Sequence, residues 1–269
     1  MPVFAWVCIL SYRALILAAG LGLRMRPLTD RTPKPLLPVG GKPLVFWQIE
    51  SLVRAGFLDI TINTSVHHTQ WINALGDGSR FGARISLVNE GNEPAESLGG
   101  ICRMLAGHGA EVGADIDAAA DAAVNTAVDT AVDTAVANTR RPFLVASGDV
   151  FTDFDYATLI PALERISSGT ADAHFVLADN PPFHPTGDFA IRDGRATREG
   201  DRLNFSGITC WHPKLFSDVP VGFHARLFPW ADAFVADNRV TAEHFRGIWE
   251  NVGTVEQLTS LDQRLSAKM

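Results

Sequence analysis

A glycine-rich segment with basic side chains is the part of this sequence best suited to phosphate chemistry. It runs from Leu17 to Gly22 as LAAGLG, and Arg24, Arg26 and Lys34 follow within the next dozen residues. Glycines let backbone N–H groups come close to a phosphate, because no Cβ intervenes. The basic side chains supply charge for a polyphosphate. Neither the dinucleotide pattern G-x-G-x-x-G nor the P-loop pattern G-x-x-x-x-G-K-[ST] is present, which disfavours those two kinds of nucleotide site.

The segment follows the first of several strands that alternate with helices. Apolar and β-branched runs predict strands at Ala14–Ala18, Asp59–Asn63, Arg84–Val88, Pro142–Ala146 and Ala173–Ala178. Apolar residues at helical spacing predict helices at Pro43–Ala55, Val66–Leu75, Leu98–Leu105, Tyr156–Ile166 and Thr254–Leu265. This alternation predicts an α/β fold, with a doubly wound, mostly parallel, Rossmann-like sheet and helices on both faces. Residues 189–252 are more hairpin-like, so we expect a small mixed β region closing over the sheet.

Length and composition exclude several classes of protein. The chain has 269 residues, of which 46% are hydrophobic, and this suits one α/β domain with an ample core. A net charge of −7 disfavours nucleic-acid binding and a polybasic membrane-surface protein. No apolar run reaches the roughly 18 residues that span a bilayer. The three cysteines are too far apart for a disulfide framework or a zinc site, so we expect a cytoplasmic protein.

Two regions fall outside the α/β pattern. Residues 1–12 contain an apolar run without a cationic start, and we interpret them as an N-terminal extension of a single domain over residues 13–269. Residues 110–138 contain the near-repeat AAVN, TAVD, TAVD, TAVA, which is typical of a low-complexity insertion; a partner-binding helix is the alternative. The insertion holds six acidic residues and no Lys or Arg, so almost all of the net negative charge belongs to it.

The complete phosphate-loop string resembles the signature of the sugar-1-phosphate nucleotidyltransferases. LAAG-x-G-x-R-M-x-P-L-T begins at Leu17, and PKPL follows at residues 33–36. The similarity continues in DGSRFG (77–82), NEGNEPAESLGGI (89–101), SGDV (147–150) and GIWENVGT (247–254), and so covers nearly all of the chain outside the insertion. The resemblance implies that the loop wraps a nucleotide triphosphate. It also implies that Arg24 contacts the phosphates and that Lys34 contacts the α-phosphate or the sugar phosphate.

The same resemblance implies a set of site residues and one cofactor. Arg24, Lys34 and Asp149 are the expected catalytic residues, and Asp149 and Asn251 the expected ligands of Mg²⁺. The expected nucleotide-binding residues are Ala18, Ala19, Gly20, Gly22, Leu23, Arg24, Lys34, Gly99 and Gly100. The expected sugar-binding residues, beneath the mixed β region, are Ser147, Asn180, Gly187, Asp188, Ser206 and Gly207.

Later segments narrow the expected substrates. ADNPPFHPTGDF (178–189), FSGI (205–208) and GIWENVGT resemble the subgroup that acts on N-acetylmuramate α-1-phosphate and UTP in peptidoglycan recycling. Three departures from the expected pattern are present. Asn251 stands where the family's late W-x-D-V-G-T motif has Asp, Ser147 stands where the subgroup usually has Asn, and Ser97-Leu98 replaces the usual Thr-Gly. An amide oxygen can still ligate Mg²⁺, although it brings less charge than a carboxylate.

The resemblance therefore implies a Mg²⁺-dependent enzyme that makes UDP-N-acetylmuramate and releases pyrophosphate. Two alternatives stay open: the same chemistry on another sugar 1-phosphate or with dTTP or GTP, and a non-catalytic regulator that binds sugar nucleotides. The expected partners are UTP and the sugar 1-phosphate, with no nucleic acid and no membrane. We expect a monomer or a small homo-oligomer.

Other polar residues have plainer interpretations. His67 and His68 resemble a surface pair at a helix start, since no third zinc ligand is near in sequence. Asp153 and Asp155 are expected to cap the next helix, with a second metal ligand as the alternative. Cys102 is expected in the core. His184 and His244 are expected to be structural or solvated, and Trp249 could line the sugar pocket.

Overall fold

The computed structural model describes residues 12–107 and 141–267. Residues 1–11 of the expected extension, and the whole of the expected insertion at 110–138, lie outside the described residues. Tyr12 is buried in the hydrophobic core. The packed domain therefore includes one residue that the sequence assigned to the extension.

A nine-stranded mixed sheet forms the centre of the described protein. The strands are β1 Arg13–Leu17, β4 Asp59–Thr64, β5 Arg84–Asn89, β6 Phe143–Ser147, β8 Ala173–Ala178, β9 Ala190–Arg192, β10 Arg195–Thr197, β11 Asn204–Trp211 and β12 Val240–Phe245. Their order across the sheet is β5-β4-β1-β6-β11-β8-β12-β10-β9. Strands β5, β4, β1 and β6 run parallel, β11 runs antiparallel to both β6 and β8, and β8 and β12 are parallel again. Two small ribbons pair β2 (Pro38–Val39) with β3 (Lys42–Pro43), and β7 (Val150–Thr152) with β13 (Trp249–Asn251).

Helices cover both faces of the sheet. They are α1 Leu44–Arg54, α2 His68–Leu75, α3 Glu96–Gly107, α4 Ile160–Ser167, α5 Leu227–Trp230, α6 Asp232–Ala236 and α7 Val255–Ser266. One core cluster packs α1, α2 and α4 on one face, and a second packs α3, α5 and α6 on the other. Alternation along β1 explains this division, because Ala14 and Ile16 join the first cluster and Leu15 joins the second.

A third apolar cluster holds the C-terminal helix against the phosphate loop. It includes Met25 from the loop, Phe151 from β7, Val252 after β13, and Leu258 and Leu261 from α7. Helix α7 begins with a capping box in which Thr254 and Gln257 exchange hydrogen bonds. The cluster thereby fixes the loop and the β7–β13 ribbon side by side.

The predicted fold class is confirmed, and the predicted strands and helices are present within about two residues of their expected ends, with one exception. The helix predicted at Tyr156–Ile166 begins as a 3-10 turn over Tyr156–Leu159 and becomes α-helical only at Ile160. The C-terminal β region differs in its placement. Strands β9, β10, β11 and β12 extend the central sheet itself, and only β13 pairs with β7 outside it. Hairpin patterning indicates antiparallel neighbours, but it does not say which sheet the strands join.

A charged cluster closes the sheet at the end away from the phosphate loop. Asp172, directly before β8, is buried and accepts hydrogen bonds from Lys214, at 2.7 Å, and Arg239. Burial raises the pKa of this carboxyl, but the bonds and charges of its two partners outweigh burial and lower the pKa below its ordinary value. Within the described residues, no helix is long and apolar enough to cross a membrane.

Candidate active site

The phosphate loop leaves β1 and is stiffened by contacts within itself. Gly22 has φ +62°, and a Cβ there would lie 2.9 Å from the Thr29 Cγ2 atom. Its carbonyl accepts hydrogen bonds from Thr29 Oγ1 and from the Met25 amide, both at 2.9 Å. Only glycine combines this backbone conformation with such close packing. Residues 18–23 of the loop border a cleft of about 580 Å³ at the carboxyl ends of the parallel strands.

A buried polar network joins the two walls of the cleft. Asn63 Oδ1 accepts from the Ala18 amide at 2.6 Å, and Asn63 Nδ2 donates to Glu90 Oε1 at 2.8 Å. The other carboxylate oxygen of Glu90 accepts from the Ala95 amide at 2.8 Å. The sequence analysis missed Asn63 and Glu90, although each lies at or just after the carboxyl end of a parallel strand, where ligand sites form.

Lys34 and Asp149 form an ion pair inside the cleft. Their side chains are 11% and 27% exposed, so the pair is largely shielded from water. Arg24 is exposed on the loop, and its guanidinium lies against Gly253, where a Cβ would be 3.2 Å from Nη2. The structure therefore brings two of the expected catalytic residues into contact and places the third at the start of α7.

The β7–β13 ribbon places Asn251 beside Asp149. Asn251 pairs with Val150, and the Val252 amide donates to the Asp149 carbonyl at 2.9 Å. The Oδ1 atom of Asn251 is buried and has no hydrogen-bond partner. Since a buried amide oxygen without a partner is costly, this atom is suited to bind a cation or a hydrogen-bond donor of a ligand.

A second cavity, which we call the sugar-side cavity, adjoins the cleft. It measures about 350 Å³, and both spaces are lined by Ser147. The residues around it are Ser147, Val150, Phe183, His184, Asn204, Phe205, Ser206, Gly207, Trp249 and Asn251. Gly207 has φ +77°, and a Cβ there would overlap Ser147 Oγ. The hydroxyl of Ser206 is already bonded to the Val176 carbonyl at 2.6 Å.

The three other expected sugar-binding residues shape a loop and do not line either cavity. Asn180 Nδ2 donates to the carbonyls of Pro185 and Arg202, at 3.1 and 2.8 Å. A Cβ on Gly187 would lie 2.5 Å from the Arg202 carbonyl oxygen. Asp188 Oδ2 accepts from the Phe205 amide at 2.8 Å. These contacts hold the loop at 180–188, which presents Phe183 and His184 to the sugar-side cavity.

Gly99 and Gly100 are buried in α3, and neither is among the residues that line the cleft. A Cβ on Gly99 would overlap the Phe223 carbonyl oxygen, and one on Gly100 would lie 2.6 Å from Asn63 Nδ2. Their visible role is to let α3 pack closely against the 220–226 loop and the Asn63–Glu90 network. Contact with a nucleotide base stays a prediction for both glycines.

The remaining polar candidates have structural partners. His68 begins α2 and bonds Thr64. Asp155 caps the following 3-10 turn as expected, while Asp153 accepts from the Ile248 amide at 2.7 Å. Cys102 is buried, and desolvation raises its pKa to about 11. Across the described ranges, no three His, Cys, Asp or Glu side chains cluster as a metal site.

Comparison with known proteins identifies the family. A family model described as "Nucleotidyl transferase" matches residues 13–183, which is more than half of the chain. The chain belongs to this nucleotidyl transferase family. The N-acetylmuramate alpha-1-phosphate uridylyltransferase of Neisseria meningitidis serogroup B is 36% identical over 250 residues, covering 91% of this chain and 95% of the relative.

More distant proteins are also similar over most of the chain. A mannose-1-phosphate guanyltransferase of Emericella nidulans is 24% identical, with 94% of this chain and 66% of the relative covered. The crystal structure of a putative glucose-1-phosphate thymidylyltransferase from Bacillus anthracis superposes with a TM-score of 0.70 at 19% identity, over 95% of each chain. The structural match supports the shared Rossmann-like fold.

Proposed function

We propose that this nucleotidyl transferase makes UDP-N-acetylmuramate from UTP and N-acetylmuramate α-1-phosphate, with release of pyrophosphate. The observation that carries the proposal is the pair of adjoining cavities that share Ser147. The larger cavity suits a nucleotide triphosphate against the glycine loop, and the smaller suits a sugar. The choice of substrates is supported by similarity to the Neisseria uridylyltransferase over nearly the full length of both chains.

The chemistry needs positioning and charge neutralisation more than proton transfer. A phosphate oxygen of the sugar 1-phosphate attacks the α-phosphorus of UTP in line, and the bond from that phosphorus to the departing pyrophosphate breaks. The attacking oxygen is already ionised at pH 7, so no general base is required. Lys34, shielded inside the cleft, would stabilise charge on the α-phosphoryl group, and Arg24 would hold the pyrophosphate.

Asp149 and Asn251 fit a Mg²⁺ ion. Asn251 Oδ1 is a buried oxygen without a partner, and Asp149 is the adjacent carboxylate. Mg²⁺ in nucleotide enzymes binds one or two protein oxygens and completes its shell with phosphates and water, so two ligands from the chain suffice. The bound ion would neutralise phosphate charge during the transfer. We further propose that the protein acts in the cytoplasm, in peptidoglycan recycling.

A substrate panel monitored by pyrophosphate release tests the reaction. UTP with N-acetylmuramate α-1-phosphate is expected to give the highest turnover, against dTTP and GTP and against glucose and mannose 1-phosphates. Turnover only with another nucleotide or another sugar 1-phosphate would support the alternative in which the same chemistry acts on different substrates. Tight nucleotide binding without any turnover would favour a non-catalytic regulator, a candidate that is kept because Asn251 brings no negative charge to the metal site.

Substitutions of two lysines test the catalytic role proposed for Lys34. Lys34→Ala is expected to lower kcat/KM by roughly 10²-fold or more, because one preorganised donor on the reacting phosphate is lost. Lys42→Ala is the matched control, since Lys42 pairs with Glu50 and lies over the Trp47 ring, away from the cleft lining. Near-wild-type kcat in Lys34→Ala would contradict the role given to Lys34.

A further inference from the structure

Among the ten described residues that line the sugar-side cavity, His184 is the single ionisable side chain. The rest of the lining is aromatic, aliphatic, hydroxyl or amide. Phe183, Phe205 and Trp249 offer faces for a sugar ring, and Asn204 and Asn251 offer amides for its hydroxyls. A ligand that brings a carboxylate into this space therefore meets a single ionisable partner, His184, among the described lining residues.

His184 is held in place by the loop that carries it. Its amide donates to the Pro181 carbonyl at 2.9 Å. Its Nε2 atom lies 3.2 Å from Asp188 Oδ1 and is buried, without an aligned hydrogen-bond acceptor. Asp188 cannot turn away freely, because its second oxygen accepts from the Phe205 amide at the start of β11. The imidazole thus lies beside the Asp188 carboxylate, and His184 also lines the sugar-side cavity.

The chemistry of the proposed substrate fits this arrangement. N-acetylmuramate is N-acetylglucosamine with a lactyl ether on one hydroxyl, so the two sugars differ by one carboxylate. A second carboxylate, brought by the ligand to the free side of the ring, would leave His184 between two negative charges. An imidazole has two ring nitrogens, so it can form a hydrogen bond with a carboxylate on each side.

We propose that His184 binds the carboxylate of an acidic sugar 1-phosphate and so makes this enzyme prefer it to the neutral sugar. The proposal rests on the proposed function for the identity of the sugar. In this arrangement the imidazole of His184 contacts the carboxylate of the sugar, and Asp188 is a positioning residue for that imidazole. Asn180 and Gly187 contribute by holding the loop, which explains why they are near the sugar-side cavity without lining it.

The test measures the affinity of wild-type protein for N-acetylmuramate α-1-phosphate and N-acetylglucosamine α-1-phosphate, by calorimetry. We expect the wild type to bind the acidic sugar at least tenfold more tightly. His184→Gln is expected to remove this preference while keeping affinity for the neutral sugar within threefold. His184→Lys, which places an ammonium group at this position, is expected to retain a preference for the acidic sugar.

His244→Gln is the matched control. His244 forms a comparable pair with Asp179, at 2.7 Å, but does not line the sugar-side cavity. The preference of His244→Gln for the acidic sugar over the neutral sugar should equal that of wild type. The proposal is overturned if wild type binds the two sugars equally, if His184→Gln keeps the preference, or if it weakens both sugars by the same factor, which would indicate a structural role.

Turnover measured on the same samples separates this proposal from the proposed function. A His184-dependent preference in binding, without uridylyl transfer from UTP, would refute the reaction and leave the recognition by His184 standing. Uridylyl transfer at equal rates to both sugars, in wild type and in His184→Gln, would refute the recognition by His184 and leave the proposed reaction standing. Failure of wild type to bind either sugar overturns both.

Discussion

The Asn63–Glu90 network is expected to position the nucleotide cleft, and Asn63→Ala tests this. The side chain of Asn63 connects the amide of Ala18, where the phosphate loop begins, to the buried carboxylate of Glu90. Glu90 in turn holds the amide of Ala95, directly before α3. Removing the amide of Asn63 therefore releases one wall of the cleft from the other.

The expected loss of stability follows from the groups left behind. The Ala18 N–H loses its acceptor, which costs about 1–3 kcal/mol for a buried donor. Glu90 loses one hydrogen bond to a charged group, worth about 1.5–3 kcal/mol. Because Ala18 and Glu90 both line the cleft, water can replace part of the two hydrogen bonds that are lost. We expect the free energy of unfolding to fall by about 3 kcal/mol.

Urea unfolding and calorimetric titration with UTP measure the two consequences. Affinity for UTP is expected to fall roughly tenfold, which corresponds to about 1.4 kcal/mol, since the phosphate loop is less well held. Asp172→Ala is the control, because it also removes a buried polar group but lies at the opposite end of the sheet. It should lose stability and keep its affinity for UTP.

Two results would refute this reasoning. If Asn63→Ala unfolds within 1 kcal/mol of wild type and binds UTP normally, the network does not position the loop. If Asp172→Ala weakens UTP binding as much as Asn63→Ala does, the loss reflects general destabilisation and not the connection between the cleft walls.

Two further substitutions test other parts of the structure. Gly207→Ala forces a Cβ into positive φ and against Ser147 Oγ, so we expect a loss of about 1–3 kcal/mol in urea unfolding and a raised KM for the sugar 1-phosphate; Ser147→Gly in the same chain should recover part of it, and no recovery would contradict the steric argument. Asp172→Asn should be less stable than wild type by roughly 1–3 kcal/mol at pH 7. Because the folded pKa of Asp172 is lowered, this difference should persist above the unfolded pKa of about 3.9 and shrink as pH falls below it; a gap that grows in acid would show the sign to be wrong.

Local patterns predicted the elements because each depends on a few neighbouring residues. The apolar run after Arg13 forms a strand buried on both faces, and the spacing in residues 43–55 forms an amphipathic helix. The same patterns could not predict that β11 would insert between β6 and β8. That order depends on contacts between distant segments, which periodicity does not record.

The sequence by itself determined the fold class, the phosphate loop and the basic side chains beside it, because backbone freedom at glycine and charge at arginine and lysine are local properties. Only the tertiary structure decided which residues meet. It paired Lys34 with Asp149, left Asn251 Oδ1 buried without a partner, and buried Gly100 against Asn63. It also placed His184 in the lining of the sugar-side cavity. These juxtapositions arise where strand ends from distant parts of the chain converge on one edge of the sheet.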